Sequence, residues 1–227
     1  MISLIMKRLG FEFSDRLYHK SYGMVNLPEG KMKSREGTVV DADDIITEMF
    51  TLAREEIMAR YSDLTENEVN KRANAIGIGA IKFFMLKQDS VKDILFDPKE
   101  SISFEGETGP YVQYSYARIC SILKKYGKPV SESADFSLLS TAQEQNLVKT
   151  LSEFDIHVED AAKNLDPSKV AHYLIKLSQA FNEFYHACPV LTEEQELKKA
   201  RILLIYCVRQ VLANGLNLLG IEMLEEM

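Results

Sequence analysis

The chain has 227 residues, 46% of them hydrophobic, so it is long enough to bury a sizeable core and is not a disordered tail. It contains no run of about eighteen apolar residues and no signal-peptide cleavage pattern, which predicts a cytoplasmic protein without a membrane partner. The net charge of −7 taken alone disfavours a nucleic-acid partner.

The first forty residues predict a helix and then a phosphate-binding loop. Residues 1–9 form an amphipathic run that ends at Gly10, and residues 22–25 predict a short strand. After a Pro/Gly turn comes the basic cluster KMKSR at 31–35, and a second β-branched run leads to Asp41. Glycines let the backbone approach a ligand, and ammonium, guanidinium and hydroxyl groups all bind phosphate oxygens. The alternative is a solvated basic hairpin.

This stretch, GMVNLPEGKMKSREG, resembles the second signature (K-M-S-K-S) of class I aminoacyl-tRNA synthetases, and its flanks resemble the arginyl-tRNA synthetases in particular. The resemblance implies that Lys31 and Ser34 are catalytic. It further implies that a loop at 30–37 holds the phosphates of ATP, with Mg²⁺ and without a protein-bound metal, through Lys31, Met32, Lys33, Ser34 and Arg35. Lys33 departs from the usual serine, and Ser34 stands where the motif has its second lysine, which leaves the division of phosphate contacts open.

The same family carries a first signature, H-x-G-H, upstream of the basic loop. None of the four histidines here is followed by Gly-His. The resemblance therefore implies that this chain holds half of an ATP site and does not catalyse alone. The complete enzyme would use ATP to attach arginine to its tRNA.

Residues 41–104 predict two helices and a connector. Asp41 is expected to cap the first helix, which runs to about residue 61, and the capping box Thr65/Glu68 opens the second. Gly77 and Gly79 predict a kink or a close helix contact. The segment resembles the connector between the catalytic and anticodon-binding parts of the family. Four basic residues either line the inner side of the tRNA or are solvated: Lys71, Arg72, Lys82 and Lys87.

A helix that begins near Tyr111 carries the candidate RNA-binding residues. One face has Tyr111, Tyr114, Arg118 and Lys125, and another has Val112, Tyr116, Ile119 and Leu123 for the core. Aromatic and arginine side chains on one face suit unpaired bases and phosphates. The surrounding phrase FEGETGPYVQYSYARICSIL resembles the start of the arginyl anticodon-binding domain, which implies tRNA contacts by Tyr111, Gln113, Tyr114 and Arg118. The alternative is that the tyrosines and Gln113 pack between helices.

Three further amphipathic helices are predicted in the rest of the chain. The first opens at Ser140 or Thr141, and the second follows Asp166-Pro167 and ends at Cys188-Pro189. The third opens at a capping box formed by Thr192 and Gln195 and ends at Gly220. Together with the helix from Tyr111, these four long helices with short loops predict an antiparallel bundle.

Cysteine spacing and charge distribution complete the sequence evidence. Cys120, Cys188 and Cys207 are widely spaced and predict reduced thiols in the core, with no disulfide or metal site. Residues 1–40 and 70–128 carry net charges of +3 and +4, whereas residues 41–69 and 129–227 each carry −7. The two positive blocks are compatible with a phosphate-rich partner.

We therefore predict a mainly α protein. Residues 1–64 would form the end of an α/β nucleotide-binding catalytic domain, residues 65–104 a helical connector, and residues 105–227 a DALR-like, antiparallel anticodon-binding bundle. The predicted function is that of the C-terminal portion of a monomeric arginine–tRNA ligase, with ATP, arginine and the arginine tRNA as partners. The alternative is a freestanding, non-catalytic helical module that binds tRNA or another partner.

Overall fold

A computed structural model of the chain describes residues 2–28, 41–192 and 194–227, and it is mainly helical, as predicted. Two 3-10 helices, Glu12–Arg16 and Phe136–Leu138, accompany two short strands, β1 (Val25–Asn26) and β2 (Ile94–Leu95). The α-helices are α1 (Ile2–Arg8), α2 (Ala42–Arg60), α3 (Glu66–Lys87), α4 (Pro98–Ser101), α5 (Gly109–Tyr126), α6 (Ala142–Ser152), α7 (Phe154–Asn164), α8 (Ser168–Ala187) and α9 (Gln195–Leu218). No helix within the described ranges is long and apolar enough to cross a membrane.

Helices α2 and α3 pack against each other and begin near the predicted residues. The predicted capping box at α3 is confirmed, since Thr65 accepts from the Glu68 amide and the Glu68 carboxylate accepts from the Thr65 amide. Asp41 occupies the N-cap position of α2, but its side chain makes no capping hydrogen bond, so that part of the prediction is wrong. The backbone carbonyl of Asp41 instead accepts from Asp44.

The two strands form a parallel pair, and α2 and α3 lie between them in the sequence. Val25 lies opposite Ile94, and Asn26 lies opposite Leu95. The predicted strand at 22–25 is therefore displaced, since the observed strand begins only at Val25. Gly23 is required just before it, because a Cβ there would lie 2.2 Å from the Lys92 carbonyl oxygen.

A first hydrophobic core lies between α2, α3 and the segment that follows β2. The predicted apolar stripe of α2 is confirmed for Met49, Ala53 and Ile57, all buried, while Ile45 is only partly buried. The members buried in this core are Met49, Ala53, Ile57, Val69, Ala73, Ala75, Ile76, Ala80, Phe96, Ile102 and Leu224. One continuous core therefore spans residues on both sides of position 64.

The glycines of α3 serve close helix contacts, one of the two roles predicted for them. Helix α3 continues through both, and a Cβ at Gly77 would lie 3.1 Å from the Met49 backbone of α2. A Cβ at Gly79 would lie 2.8 Å from the Gln113 amide of α5. Gly109 of α5 completes this crossing, since its Cβ would lie 2.8 Å from the Gly79 carbonyl oxygen. Small residues thus let α3 and α5 approach at backbone distance.

Helices α5 to α9 form the predicted bundle around a second core. Its centre consists of large buried side chains that include Phe83, Val112, Ile119, Leu147, Tyr173, Leu174, Phe181, Phe184, Ile205 and Leu212. The predicted core residues Tyr116 and Leu123 are only partly buried, and Leu218 is exposed. Burial raises the pKa of the Tyr173 hydroxyl, which donates to the Thr150 carbonyl.

Two boundaries within the bundle differ from the prediction. The helix predicted from Ser140 or Thr141 is two helices, α6 and α7, which meet at Glu153. No proline or glycine marks this break in the sequence. The predicted capping box at Thr192 and Gln195 is also wrong, because Glu194 is the N-cap of α9 and Gln195 is its first residue.

The cysteines are free thiols, as predicted. Cys120 and Cys188 are buried, whereas Cys207 is only half-buried. Burial raises the pKa of the Cys120 and Cys207 thiols, so both are protonated near neutral pH.

The chain returns from α9 to the first core through residues 219–227, here named the C-terminal segment. Leu224 enters the first core, and the Glu226 carboxylate lies 3.2 Å from Arg72 of α3 and 2.7 Å from Lys124 of α5. The Tyr61 hydroxyl donates to the Met227 carbonyl. The C-terminal segment thus joins α2, α3 and α5.

Candidate nucleic-acid interface

An open groove of about 810 Å³ lies between the two cores in the described part of the chain. One wall comes from α2 and the loop after α4, and the other comes from α5 and α8. Its lining includes Glu56, Arg60, Tyr61, Lys99, Phe104, Glu105, Tyr111, Tyr114, Arg118, Asn182, His186 and Met227. Three of the four residues predicted to contact tRNA therefore share one groove.

Arg118 is fixed in this groove by aromatic rings and hydrogen bonds. Its guanidinium carbon lies 4.7 Å from the ring centroid of Tyr114 and 5.1 Å from that of Tyr185. Its Nη2 donates to the Tyr114 hydroxyl over 2.8 Å. A guanidinium stacked in this way keeps its planar fork oriented while remaining only partly buried. It can present remaining N–H donors to a phosphate or a base edge.

Asn182 of α8 connects Arg118 with Tyr111, and sequence reasoning missed it. Its Oδ1 accepts from Arg118 Nη1 over 3.2 Å, and its Nδ2 donates to the Tyr111 hydroxyl over 2.8 Å. The side-chain amide of Asn182 therefore hydrogen-bonds to both Arg118 and Tyr111. The sequence offers no local signal for it, because Asn182 stands near other polar residues, Gln179 and Glu183.

The opposite wall supplies a second stacked arginine. Arg60 Cζ lies 4.1 Å from the ring centroid of Phe104, and Arg60 Nη2 lies 3.0 Å from Glu56 Oε2. Phe104 meets Tyr114 edge to face at 6.2 Å between centroids, which joins the two walls. Three cationic side chains, Arg60, Lys99 and Arg118, and two carboxylate side chains line the groove.

Gln113, also predicted to contact tRNA, lies in a different place. Its side chain is 0% exposed, and its Nε2 donates to the Ala75 carbonyl over 3.2 Å and to the Glu222 carbonyl over 2.7 Å. The predicted RNA contact disagrees with this burial, because no RNA group can reach the amide without opening the helix crossing. Gln113 instead ties α5 to α3 and to the C-terminal segment.

The basic residues of α3, for which the sequence left tRNA contact and solvation open, are largely engaged within the protein. Arg72 pairs with Glu226, and Lys82 donates to the Gly220 carbonyl. Lys87 donates to the Glu107 carbonyl over 2.9 Å. These three cations stabilise contacts within the protein.

The predicted ATP loop lies outside the described residues. This applies to Lys31, Met32, Lys33, Ser34 and Arg35, and to the second β-branched run. No cluster of three metal-ligating side chains occurs in the ranges that the structure describes. Of the predicted sites, the structure therefore describes only the RNA-contacting residues.

Residues 112–227, about half of the chain, match the family model of the DALR anticodon binding domain. The chain belongs to the DALR anticodon-binding family. The match covers most of α5, all of α6 to α9 and the C-terminal segment, so it includes the groove residues Tyr114, Arg118 and Asn182 but not Tyr111. Residues 1–98 match the family model of the catalytic domain of class I tRNA synthetases (R), so the DALR region follows a catalytic-domain region.

Curated relatives of this DALR-family chain are named arginine–tRNA ligase. The protein of Parabacteroides distasonis is 43% identical over 100% of this chain and 39% of its own length. The protein of Treponema denticola is 46% identical over 98% of this chain and 39% of its own length. The chain thus spans about two fifths of the length of the curated relatives it matches.

Solved structures support the same assignment of the DALR-family fold. The arginyl-tRNA synthetase of Thermus thermophilus superposes with a TM-score of 0.89 at 32% identity, over 100% of this chain and 38% of that one. The arginyl-tRNA synthetase of Plasmodium falciparum superposes with a TM-score of 0.81 at 27% identity, with the same coverage of 100% and 38%.

Proposed function

We propose that this chain acts as the C-terminal portion of an arginine–tRNA ligase, in which ATP drives the attachment of arginine to its tRNA. The groove around Tyr111, Tyr114 and Arg118 would bind the anticodon region of the tRNA. The observation that carries this proposal is the Arg118 guanidinium, held between two tyrosine rings and bonded to Asn182 in an open groove. The similarity of the whole chain to arginine–tRNA ligases supports the arginine tRNA as the RNA partner.

The groove suits unstacked nucleotides better than a duplex. Exposed aromatic edges and stacked guanidinium groups pair with the faces of single-stranded bases, and their free N–H donors pair with phosphates. An anticodon loop offers both. The groove walls are anchored in both cores, since Phe104 packs against the first core and Tyr111 against the second, so the aromatic surfaces are in place before RNA binds.

The loop at 30–37 would hold the ATP phosphates in the complete enzyme, with Mg²⁺ as the companion ion. Lys31 and Ser34 would contact the leaving pyrophosphate, and Met32, Lys33 and Arg35 would complete the loop. We retain the division into a catalytic end at 1–64, a connector at 65–104 and an RNA-binding part at 105–227. A cytoplasmic monomer with ATP, arginine and the arginine tRNA as partners completes the proposal.

A gel-shift titration of the chain with the arginine tRNA and with an unrelated tRNA, at one stated salt concentration, tests the RNA-binding part. Arg118→Ala should weaken binding of the arginine tRNA by roughly tenfold, the scale of one lost stacking contact. Arg118→Lys should recover little of that loss, because the ammonium keeps the charge but not the planar fork.

Arg209 offers a matched control. It is also partly buried and lies 5.0 Å from a tyrosine ring centroid, that of Tyr206, but it is not part of the groove. Arg209→Ala should leave tRNA affinity unchanged. Equal losses for the two arginines, or no preference for the arginine tRNA, would contradict the proposal and would favour the non-catalytic module as the alternative.

A further inference from the structure

The C-terminal segment presents its carboxylates to a basic surface formed by three helices. Two cavities of about 240 and 380 Å³ lie beside the segment. Their cationic lining residues are Lys71 and Arg72 of α3, Lys124 of α5 and Arg209 of α9, here named the basic surface. Their carboxylates are Glu222, Glu225 and Glu226 of the segment, together with Glu68, which is engaged in the α3 capping box. The segment therefore supplies most of the negative charge that balances the basic surface.

Glu226 bridges two helices in the way that a phosphate group can. Its Oε1 lies 2.7 Å from Lys124 Nζ, and its Oε2 lies 3.2 Å from Arg72 Nη2. Ammonium and guanidinium groups bind carboxylate and phosphate oxygens through the same charge-assisted hydrogen bonds. The hydrogen bond to Glu226 raises the pKa of Lys124, and the charge of Glu225 adds to that effect. Carboxylates thus occupy positions in which these cations would bind RNA phosphates.

Apolar and main-chain contacts also attach the segment, so its carboxylates are not its sole anchors. Ile221 and Leu224 are buried, and the Glu222 carbonyl accepts from Gln113 Nε2 over 2.7 Å. The side chains at 225–226 are exposed. Exposed ion pairs contribute little to global stability. The main effect of these carboxylates is therefore on the charge of the surface that they cover.

The basic surface adjoins the groove proposed to bind RNA. Met227, the residue after Glu226, lines that groove, and its carbonyl accepts from the Tyr61 hydroxyl. The Arg72 guanidinium lies 5.7 Å from the ring centroid of the same tyrosine. Cations in this position would bind the backbone of any RNA, because phosphate contacts carry no sequence information.

We infer that the C-terminal segment determines RNA specificity by covering a second phosphate-binding surface with Glu222, Glu225 and Glu226. The covered surface rests on the contacts above, whereas its role in specificity rests on the proposed function. With the carboxylates in place, RNA is held through the groove around Arg118. Without them, unrelated RNA binds to the basic surface through its backbone alone.

Removing two of the carboxylates tests this inference. The double substitution Glu225→Gln and Glu226→Gln, here called the segment variant, should raise the affinity for an unrelated tRNA in a gel-shift titration. Each phosphate contact typically accounts for about a threefold change in affinity between about 50 and about 200 mM salt, so two uncovered cations should make the gain roughly tenfold larger at the lower concentration. The ratio of the affinities for the arginine tRNA and the unrelated tRNA should fall accordingly.

Two further variants locate the effect. Glu159→Gln with Glu196→Gln removes the same charge from two exposed carboxylates that pair with lysines outside the basic surface, and should give little of this gain. Lys124→Gln with Arg209→Gln, added to the segment variant, should abolish the gain. Circular dichroism should show the same helix content in every variant.

Three outcomes would overturn the inference: no gain of affinity in the segment variant, an equal gain in the Glu159 and Glu196 control, or a gain that survives the loss of Lys124 and Arg209. The gain is measured with the unrelated tRNA alone, so it does not depend on a preference for the arginine tRNA. A native chain without that preference fails in its proposed function alone, and a segment variant without the gain fails here alone.

Discussion

Arg201 of α9 donates from Nε to Oε1 of Glu144 in α6 over 2.7 Å, and the two side chains are only 9% and 1% exposed. The other carboxylate oxygen of Glu144 accepts from the amide and the hydroxyl of Thr141. Arg201 Nη1 donates to the Pro189 carbonyl over 2.7 Å. One buried ion pair therefore joins the start of α6, the end of α8 and the start of α9.

Removing the cation of this pair should be strongly destabilising. Arg201→Met leaves the Glu144 carboxylate buried without its counter-ion, which typically costs about 3–5 kcal/mol. Urea unfolding followed by circular dichroism measures the free energy of unfolding. Lys199→Met is the control, because Lys199 pairs with Glu196 over 2.7 Å at the surface of the same helix and should change stability little. Similar effects for both variants would contradict the assigned role of Arg201.

The same ion pair, Arg201 and Glu144, should make the free energy of unfolding decrease at acidic pH. Burial by itself raises the pKa of Glu144, but hydrogen bonds from Thr141 and Arg201 outweigh it, and the pKa in the folded protein is lowered. The stabilisation is therefore complete above the unfolded pKa of the carboxyl group and is lost as pH falls through the lower folded value. Unfolding curves from neutral pH to about pH 3 should show this loss, and Arg201→Met should weaken the pH dependence.

Asn182 should act as a positioning residue for RNA binding. Asn182→Ala removes the amide shared by Arg118 and Tyr111 without removing a positive charge. We expect a loss of tRNA affinity of roughly several-fold with an unchanged slope of affinity against salt, because that slope reports phosphate contacts. The measurement is a gel-shift titration at several salt concentrations.

Asn164 provides the comparison for this variant. Its amide bonds only to Asp160 within α7, away from the groove, so Asn164→Ala should leave affinity and salt slope unchanged. A large decrease in salt slope for Asn182→Ala would mean that Asn182 helps to bind phosphate directly, and would refute the positioning role.

Glu226 should hold the C-terminal segment in place. Lys124, and then Arg72, lower the pKa of its carboxyl group, so the contact is lost on acidification as pH falls through that lowered value. Glu226→Gln should speed hydrogen exchange in residues 221–227 at neutral pH while global stability changes little, since the pair is exposed. Glu225→Gln, one residue away, should not speed exchange. Unchanged exchange in Glu226→Gln would show that apolar packing alone holds the segment.

Lys31 should affect arginyl-adenylate formation and not RNA binding. In the complete enzyme, Lys31→Ala removes a charge-assisted contact worth about 1.5–3 kcal/mol, and should slow arginyl-adenylate formation by a corresponding factor. Pyrophosphate exchange measures that step, and the gel shift measures tRNA affinity, which should stay the same. A loss of tRNA binding with normal adenylate formation would overturn the assignment of the loop.

Helices could be predicted because their signals are local. The α2 stripe follows the helical period, and the Thr65/Glu68 capping box lies within four residues, so both could be read from short windows. The break between α6 and α7 carries no such signal, since no proline or glycine stands near Glu153. Helices α6 and α7 both pack against α8, and a local sequence window does not contain such contacts.

The candidate site shows more clearly that local sequence signals do not contain long-range contacts. Periodicity placed Tyr111, Tyr114 and Arg118 on one face, but it could not show that Asn182, 64 residues beyond Arg118, completes the group. It also could not distinguish Gln113, whose amide meets carbonyls 38 and 109 residues away. Residue type and spacing identify candidates for contact, whereas burial by distant segments decides which of them stay accessible.

Helix α3 belongs to both cores, since Ile76 is buried in the first and Phe83 in the second. Because one helix is packed in both cores, unfolding of either core disrupts the other, so heating should give a single calorimetric transition. For the same reason, limited proteolysis should fail to release two independently stable halves, even though two family models divide the chain between residues 98 and 112.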